Sequence, residues 1–287
     1  MEDKNIAVKR EGAEVTLTIT IPAAQVSEAF KRIKTQAVKE VEVPGFRKGK
    51  APAEVAEKHV NEEALAQSLF QEVVPLAYAR AVSQEKLKPI IPPQVSVKSY
   101  GKDEDLVFEA VTTEAPEVKL GEYKKAISGL KGKVIYGPDN KPLSEEGEVT
   151  AAQVLEAMRS KIQVDIPHIL IDYEVQRMLS SLVDQVRSVG LTVDQYLSSQ
   201  GKTAEGIQKE YHEVAERNLK DEFILRAIAD SEKIKVEEKE IEEAIEAAPD
   251  EATKVGLREE RGRTYIEDVL RKRKTIEHLL KTAGAKS

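Results

Sequence analysis

The sequence predicts an α+β N-terminal domain, a small antiparallel sheet with helices, followed by an all-α, elongated C-terminal domain of helical arms. Three observations carry this. Residues 15–21 alternate apolar and polar without a break; residues 94–112 hold two more strand-like runs around a polar loop; and from residue 149 the apolar positions recur three or four apart almost to the end. A stretch dense in glycine and proline separates the halves.

Val15-Thr16-Leu17-Thr18-Ile19-Thr20-Ile21 has the period of a strand with one buried face. Pro22 ends it, and from Ala23 the positions Val26, Phe30, Ile33, Ala37 and Val41 make an amphipathic helix that stops before Pro44. A second helical stretch, 61–87, uses Leu65, Leu69, Val73, Leu76 and Ala81 as its inner stripe, with Pro75 expected to kink it or end a turn. Strands at 94–100 and 106–112 are joined by Gly101-Lys102-Asp103-Glu104-Asp105, a loop of hairpin length. The order strand, two helices, hairpin lets the helices cover one face of the sheet and defines a first domain, 1–118.

Over 119–147 periodicity fails and Gly121, Gly129, Gly132, Gly137, Pro138, Asn140, Pro142 and Gly147 gather, as in a linker. Residues 148–287 form the second domain, with helices expected at 149–162, 169–189, 193–197, 203–230, 236–247 and 263–282. Asp165 with Pro167, and Thr203 with Glu205 and Glu210, are expected to cap two of them. The acidic cluster Glu237, Glu238, Glu240, Glu242, Glu243 and Glu246, interleaved with Ile241 and Ile245, reads as the solvated face of a helix.

Composition narrows the function classes. A charged fraction of 33% with 5% aromatic residues points to long helices laced with solvent. The net charge of −7 excludes a protein that coats nucleic acid over its whole surface and leaves room for a local basic patch. Zero cysteines exclude disulfides, thiolate metal sites and a cysteine nucleophile, and fit a reducing compartment. No signal-peptide pattern and no membrane-length apolar run are present, so the expectation is a cytoplasmic protein without a membrane partner. His59, His168, His212 and His278 each lack a second ligand at helical spacing, Ser180-Ser181 and Ser198-Ser199 have no nucleophile-elbow context, and no paired carboxylates stand out. No catalytic residue, metal ligand or cofactor is expected.

The most unusual stretch is Val43-Pro44-Gly45-Phe46-Arg47-Lys48-Gly49-Lys50-Ala51-Pro52, between the first two helices. Two glycines and two prolines forbid helix continuation, so it is an ordered turn or extended loop. Phe46, Arg47, Lys48 and Lys50 then suit docking against phosphates plus one apolar pocket. A solvated turn with Phe46 folded back onto the core is equally open at this point. A phosphate-cradling P-loop is not, because Ala51 follows Lys50 where Ser or Thr is needed and a helix precedes.

Gly45-Phe46-Arg47-Lys48-Gly49-Lys50-Ala51-Pro52 resembles the ribosome-binding signature of the trigger factor family, in its expected place. Phe108-Glu109-Ala110 through Pro116-Glu117-Val118-Lys119-Leu120-Gly121 resembles the end of that family's N-terminal domain. Val164-Asp165-Ile166-Pro167 followed by Leu170-Ile171-Asp172-Tyr173-Glu174-Val175 resembles the entry to a helical arm of its C-terminal domain. Beyond about residue 202 the likeness is one of helical pattern.

The resemblance implies a ribosome-associated chaperone. Its docking loop, with Phe46, Arg47 and Lys48 as principal contacts, Lys50 in support and Gly45 and Gly49 shaping it, would meet a tunnel-exit protein of the large subunit and adjoining ribosomal RNA. The other implied partners are nascent and unfolded polypeptides, with a homodimer allowed off the ribosome. The family's isomerase domain of FK506-binding type is expected to be absent. Residues 131–149 are too few for it, below the about 40 residues a domain generally needs without staples, and Tyr136 is their only aromatic. Gly137-Pro138-Asp139-Asn140 stands where it would be inserted, as a tight turn or a plain linker. The residues of a client surface are not legible, since core and cradle share one spacing, and Met158 and Met178 are too few for a Met-rich groove. An assembly or hibernation factor using the same loop, and a ribosome-independent holdase, are the competing functions.

Overall fold

The computed structural model describes residues 5–47, 50–101, 103–130 and 149–284. The chain divides into two compact units, Met1–Ala115 and Pro116–Ser287.

The first unit runs β1 (Ile6–Glu11), β2 (Glu14–Ile21), α1 (Ala23–Glu40), α2 (Ala53–Glu57), α3 (Glu62–Gln84), β3 (Gln94–Ser99) and β4 (Leu106–Thr113). The strands form one antiparallel sheet in the order β1-β2-β4-β3. Its pairing sets Leu17 opposite Ala110, Ile19 opposite Phe108 and Ile21 opposite Leu106, so the apolar residues of β2 and β4 share a face. Val26 and Ala29 of α1 and Leu69, Val74 and Ala81 of α3 close the core over that face.

Besides the short helix α2, which the sequence analysis does not expect, two details differ from the sequence expectation. The sheet has four strands, not three: Ile6 and Val8 pack on the core, but Lys9-Arg10-Glu11 hides the alternation of β1. In α3, Leu76 is 59% exposed and Val74 is buried instead. The buried positions 69, 74 and 81 are five and seven apart, so the inner face winds round the helix, which runs unbroken through Pro75.

Capping orients the helices. Pro22 has no side-chain oxygen to offer α1, and Asp105, from the β3–β4 loop, accepts the Ala23 N–H at 2.8 Å. Asn61 Oδ1 accepts from Glu63 and Ala64 N–H at 2.8 and 3.3 Å at the start of α3.

The second unit contains β5 (Val118–Lys119), α4 (Tyr123–Ile127), α5 (Ala151–Lys161), β6 (Gln163–Val164), α6 (His168–Ser188), α7 (Val193–Ser199), α8 (Ala204–Ser231), α9 (Glu238–Glu246), α10 (Glu251–Arg258) and α11 (Glu260–Thr282). The second unit is mostly helical, as the sequence predicts, with one short addition: the two-residue strands β5 and β6 pair antiparallel. Contrary to a linker from residue 119, α4 is part of the core: Tyr123 and Ile127 pack with Val154, Met158, Ile224 and Leu279. Five residues between glycines give too little periodicity to show this. The interval 131–148, with the insertion point and Tyr136, lies outside the described residues.

One hairpin pairs α6 with the N-terminal part of α8, packed at Leu182, Val186, Leu197 and Ile207 with α7. Thr203 caps α8 as expected, accepting the Gly206 N–H at 3.0 Å. Thr150 and Thr192 make capping boxes at α5 and α7. At α6 the cap position is Pro167 itself, with no side-chain bond from Asp165.

In the segment α9–α11 the acidic cluster does more than meet solvent. Glu238 and Glu242 pair with Arg263, Glu240 with Lys274 and Glu246 with Arg258, so α9 supplies counter-ions to α10 and α11. Apolar burial is sparse: Ile241 and Ile245 of α9, no residue of α10, and Leu279 near the end of α11. Gly262 allows α11 to cross close to α10; a Cβ there would lie 2.4 Å from the Gly256 carbonyl oxygen and 2.5 Å from Leu257 Cα. Gly262→Ala should therefore destabilise this segment by about 1–3 kcal/mol, as overpacking against rigid backbone does. Hydrogen exchange should report faster exchange of α10 amides with the first unit unchanged.

The anchor of α4 is electrostatic as well as apolar. Tyr123 donates to Glu232 Oε1 at 2.6 Å, Lys124 Nζ lies 2.7 Å from the same oxygen, and His278 Nε2 is 3.6 Å from Oε2. The Lys124 ammonium, and then the Tyr123 hydroxyl, hold the Glu232 carboxyl below its ordinary 4.5, while burial and this carboxylate push the Tyr123 phenol up. A depressed carboxyl pKa stabilises above the unfolded value and is lost as pH falls through the folded one. Glu232→Gln should thus lose less stability than the wild type as pH drops below 4.5, read by urea unfolding across a pH series.

Candidate functional site

The loop between α1 and α2 is built from its base upward. Val43 is buried, and the Phe46 N–H donates to the Val43 carbonyl at 3.0 Å. Pro44 holds the second position of this four-residue turn and Gly45, at φ 87°, the third, the pattern of a type II turn. Only glycine takes that φ without strain, which is why a residue with no side chain stands directly before the aromatic. A second hydrogen bond, Lys50 N–H to Arg47 C=O at 2.9 Å, closes the next four residues.

The side chains face outward. Phe46 is 47% exposed, so it does not fold back onto the core, and the open alternative of a buried phenylalanine does not hold. Arg47 and Lys50 are exposed, and neither side chain has an ion-pair partner among the described residues. Lys48 and Gly49 lie outside the described residues.

Position follows from α1. Its first half packs on the sheet through Val26, Ala29, Phe30 and Ile33, and its 18 residues span about 27 Å at 1.5 Å each. The loop therefore leaves the end of α1 remote from Asp105 and the sheet core. The Lys34–Glu57 ion pair, 2.9 Å, ties α1 to α2 across its base.

In the second unit the structure separates surface from core where spacing could not. Val189 and Leu191 flank Gly190 at the α6–α7 turn, Val189 being 70% exposed. Val255 of α10 and Tyr265 and Val269 of α11 are also exposed, Tyr265 at 63%. Apolar side chains scattered singly over a surface are ordinary in folded proteins and define no fitted pocket. Among the described residues no cluster of His, Asp and Glu could hold a metal ion, and no helix is long and apolar enough to cross a membrane.

Comparisons with known proteins agree on one family. A family model described as bacterial trigger factor protein matches residues 4–134, and one described as the bacterial trigger factor C-terminus matches residues 145–281. Trigger factors of Staphylococcus aureus strains JH9 and Newman are 44% identical over 116 residues, 40% of this chain and 27% of theirs. The matched part thus spans about a quarter of those relatives' length. A solved structure described under promiscuous substrate recognition in folding and assembly activities of the trigger factor chaperone aligns with a TM-score of 0.62 at 14% identity, covering 96% of this chain and 100% of that one, a likeness of fold.

Proposed function

The chain belongs to the bacterial trigger factor family, and on that premise we propose that it is a ribosome-associated chaperone of the cytoplasm that docks through Phe46, Arg47, Lys48 and Lys50 and holds nascent or unfolded chains without isomerising prolines. The observation that carries this reading is the loop: an exposed aromatic, with Arg47 and Lys50 lacking ion-pair partners among the described residues, held on a turn that Pro44-Gly45 makes cheaply. An exposed phenylalanine needs a partner surface to leave water, and cations without counter-ions meet phosphates at no cost of broken ion pairs.

Holding clients asks for surface rather than chemistry, and the exposed side chains of the helical unit supply it. Lowering the free concentration of an unfolded segment slows its aggregation by mass action. Loss of isomerase activity rests on the shortness of the interval 131–149.

Two assays on the whole chain test the reading together. It should suppress aggregation of a denatured client on dilution, and it should leave the rate of proline isomerisation in a model peptide at its uncatalysed value, tens to hundreds of seconds at room temperature. Accelerated isomerisation would remove the non-enzymatic part of the proposal. Ribosome binding without aggregation suppression would favour an assembly or hibernation factor.

A further inference from the structure

The outer face of α1 carries a second set of unpaired cations, continuous along the chain with the loop. Lys31, Thr35 and Lys39 recur four residues apart, so they share one stripe, with Arg32 and Gln36 beside it; these five side chains form one open patch on the helix. At 1.5 Å per residue the two lysines stand about 12 Å apart along the axis. Neither ammonium has an ion-pair partner among the described residues, although Arg32 is paired with Glu72 and Lys34 with Glu57. Glu28 lies one turn before the stripe and limits it at that end, and Glu40 is engaged by the Gln36 amide at 3.1 Å.

The patch holds no apolar or aromatic residue. A protein partner would need such an anchor to gain affinity from desolvation. Lysine, arginine, threonine and glutamine are instead the side chains that contact phosphate and sugar. From these observations, and resting on the ribosome-docking reading above, we infer that the Lys31–Thr35–Lys39 face of α1 is a track for an RNA sugar-phosphate backbone, extending the docking surface beyond the loop.

The chain has no cysteine, so a single one can be placed at will. Thr35→Cys, carrying a thiol-linked photo-cross-linker and irradiated on bacterial 70S ribosomes, should give an adduct that ribonuclease destroys; Glu42→Cys, exposed beside the loop, is the docking control. An adduct from position 35 to ribosomal protein alone overturns the inference, as does no adduct there while position 42 reacts. If neither reacts, the docking reading has failed and this inference with it.

A second variant needs no cross-linker. Lys31→Ala with Lys39→Ala should lower the slope of log affinity against log salt by about 1.4, so its loss of ribosome affinity between about 50 and 200 mM salt is roughly 7-fold smaller than the wild type's. Lys39 in the last turn of α1 also complements the helix dipole. A change in stability with an unchanged salt slope would assign the lysines to that structural role and overturn the inference.

Discussion

Phe108→Ala should destabilise the first unit by about 3–5 kcal/mol, the range for truncating a fully buried aromatic. Phe108 is wholly inaccessible at the centre of β4, opposite Ile19 on one side and Val97 on the other, within the core that α1 and α3 cover. Neighbours set in two flanking strands cannot collapse into the space, so the transfer term and the cavity term both apply. Against a domain stability of about 5–15 kcal/mol this is a large fraction. The two units have separate cores, one around Phe108 and one around Met158 and Ile228. Denaturant unfolding should therefore show an early transition for the first unit and an unmoved one for the second. A single transition shifted as a whole would mean that the units unfold as one.

Much of this was legible in the sequence where a period ran long enough to declare itself. β2 alternates through seven residues, and its four apolar positions are all buried. The long helices α6, α8 and α11 were found within a few residues of their ends. What escaped was short or interrupted. β1 loses its alternation to Lys9-Arg10-Glu11, α4 has five residues, and α10 buries nothing and sits between Pro249 and Gly262. The acidic face of α9 was visible as charge, but its cations lie as many as 34 residues on, and a pairing at that distance has no local signal.

The loop was legible for a different reason. Its residue types are locally improbable in a helical pair, and Pro44-Gly45 specifies a turn by itself. Sequence left open whether Phe46 points in or out, because both orientations suit the same turn. The basic stripe of α1 has no comparable signal, since Lys31 and Lys39 fall among the ordinary polar positions of an amphipathic helix; which cations lack counter-ions depends on Glu57 and Glu72 of other helices.

Phe46→Ala combined with Arg47→Ala should lower affinity for ribosomes at least about 100-fold. Burying a phenylalanine side chain contributes about 1.5–3 kcal/mol, and a hydrogen bond to a charged group about 1.5–3 kcal/mol. Each 1.4 kcal/mol is about tenfold, so even the lower ends of both ranges reach a hundred. The fold should be indifferent, with a change within about 0.5 kcal/mol, since both side chains are surface groups and the turn-forming Pro44 and Gly45 are retained. Equal thermal unfolding of variant and wild type checks that the lost affinity belongs to the contact surface.

The most direct test of ribosome docking is co-sedimentation with bacterial 70S ribosomes of the wild type beside a Phe46→Ala, Arg47→Ala, Lys48→Ala variant across a salt series. The wild type should pellet, with the three loop cations alone making affinity fall about 18-fold between about 50 and 200 mM salt if each meets one phosphate, and the α1 lysines steepening that fall further. The variant should stay in the supernatant throughout. If the two proteins distribute alike at every salt concentration, the loop is structural and the chain does not dock through it.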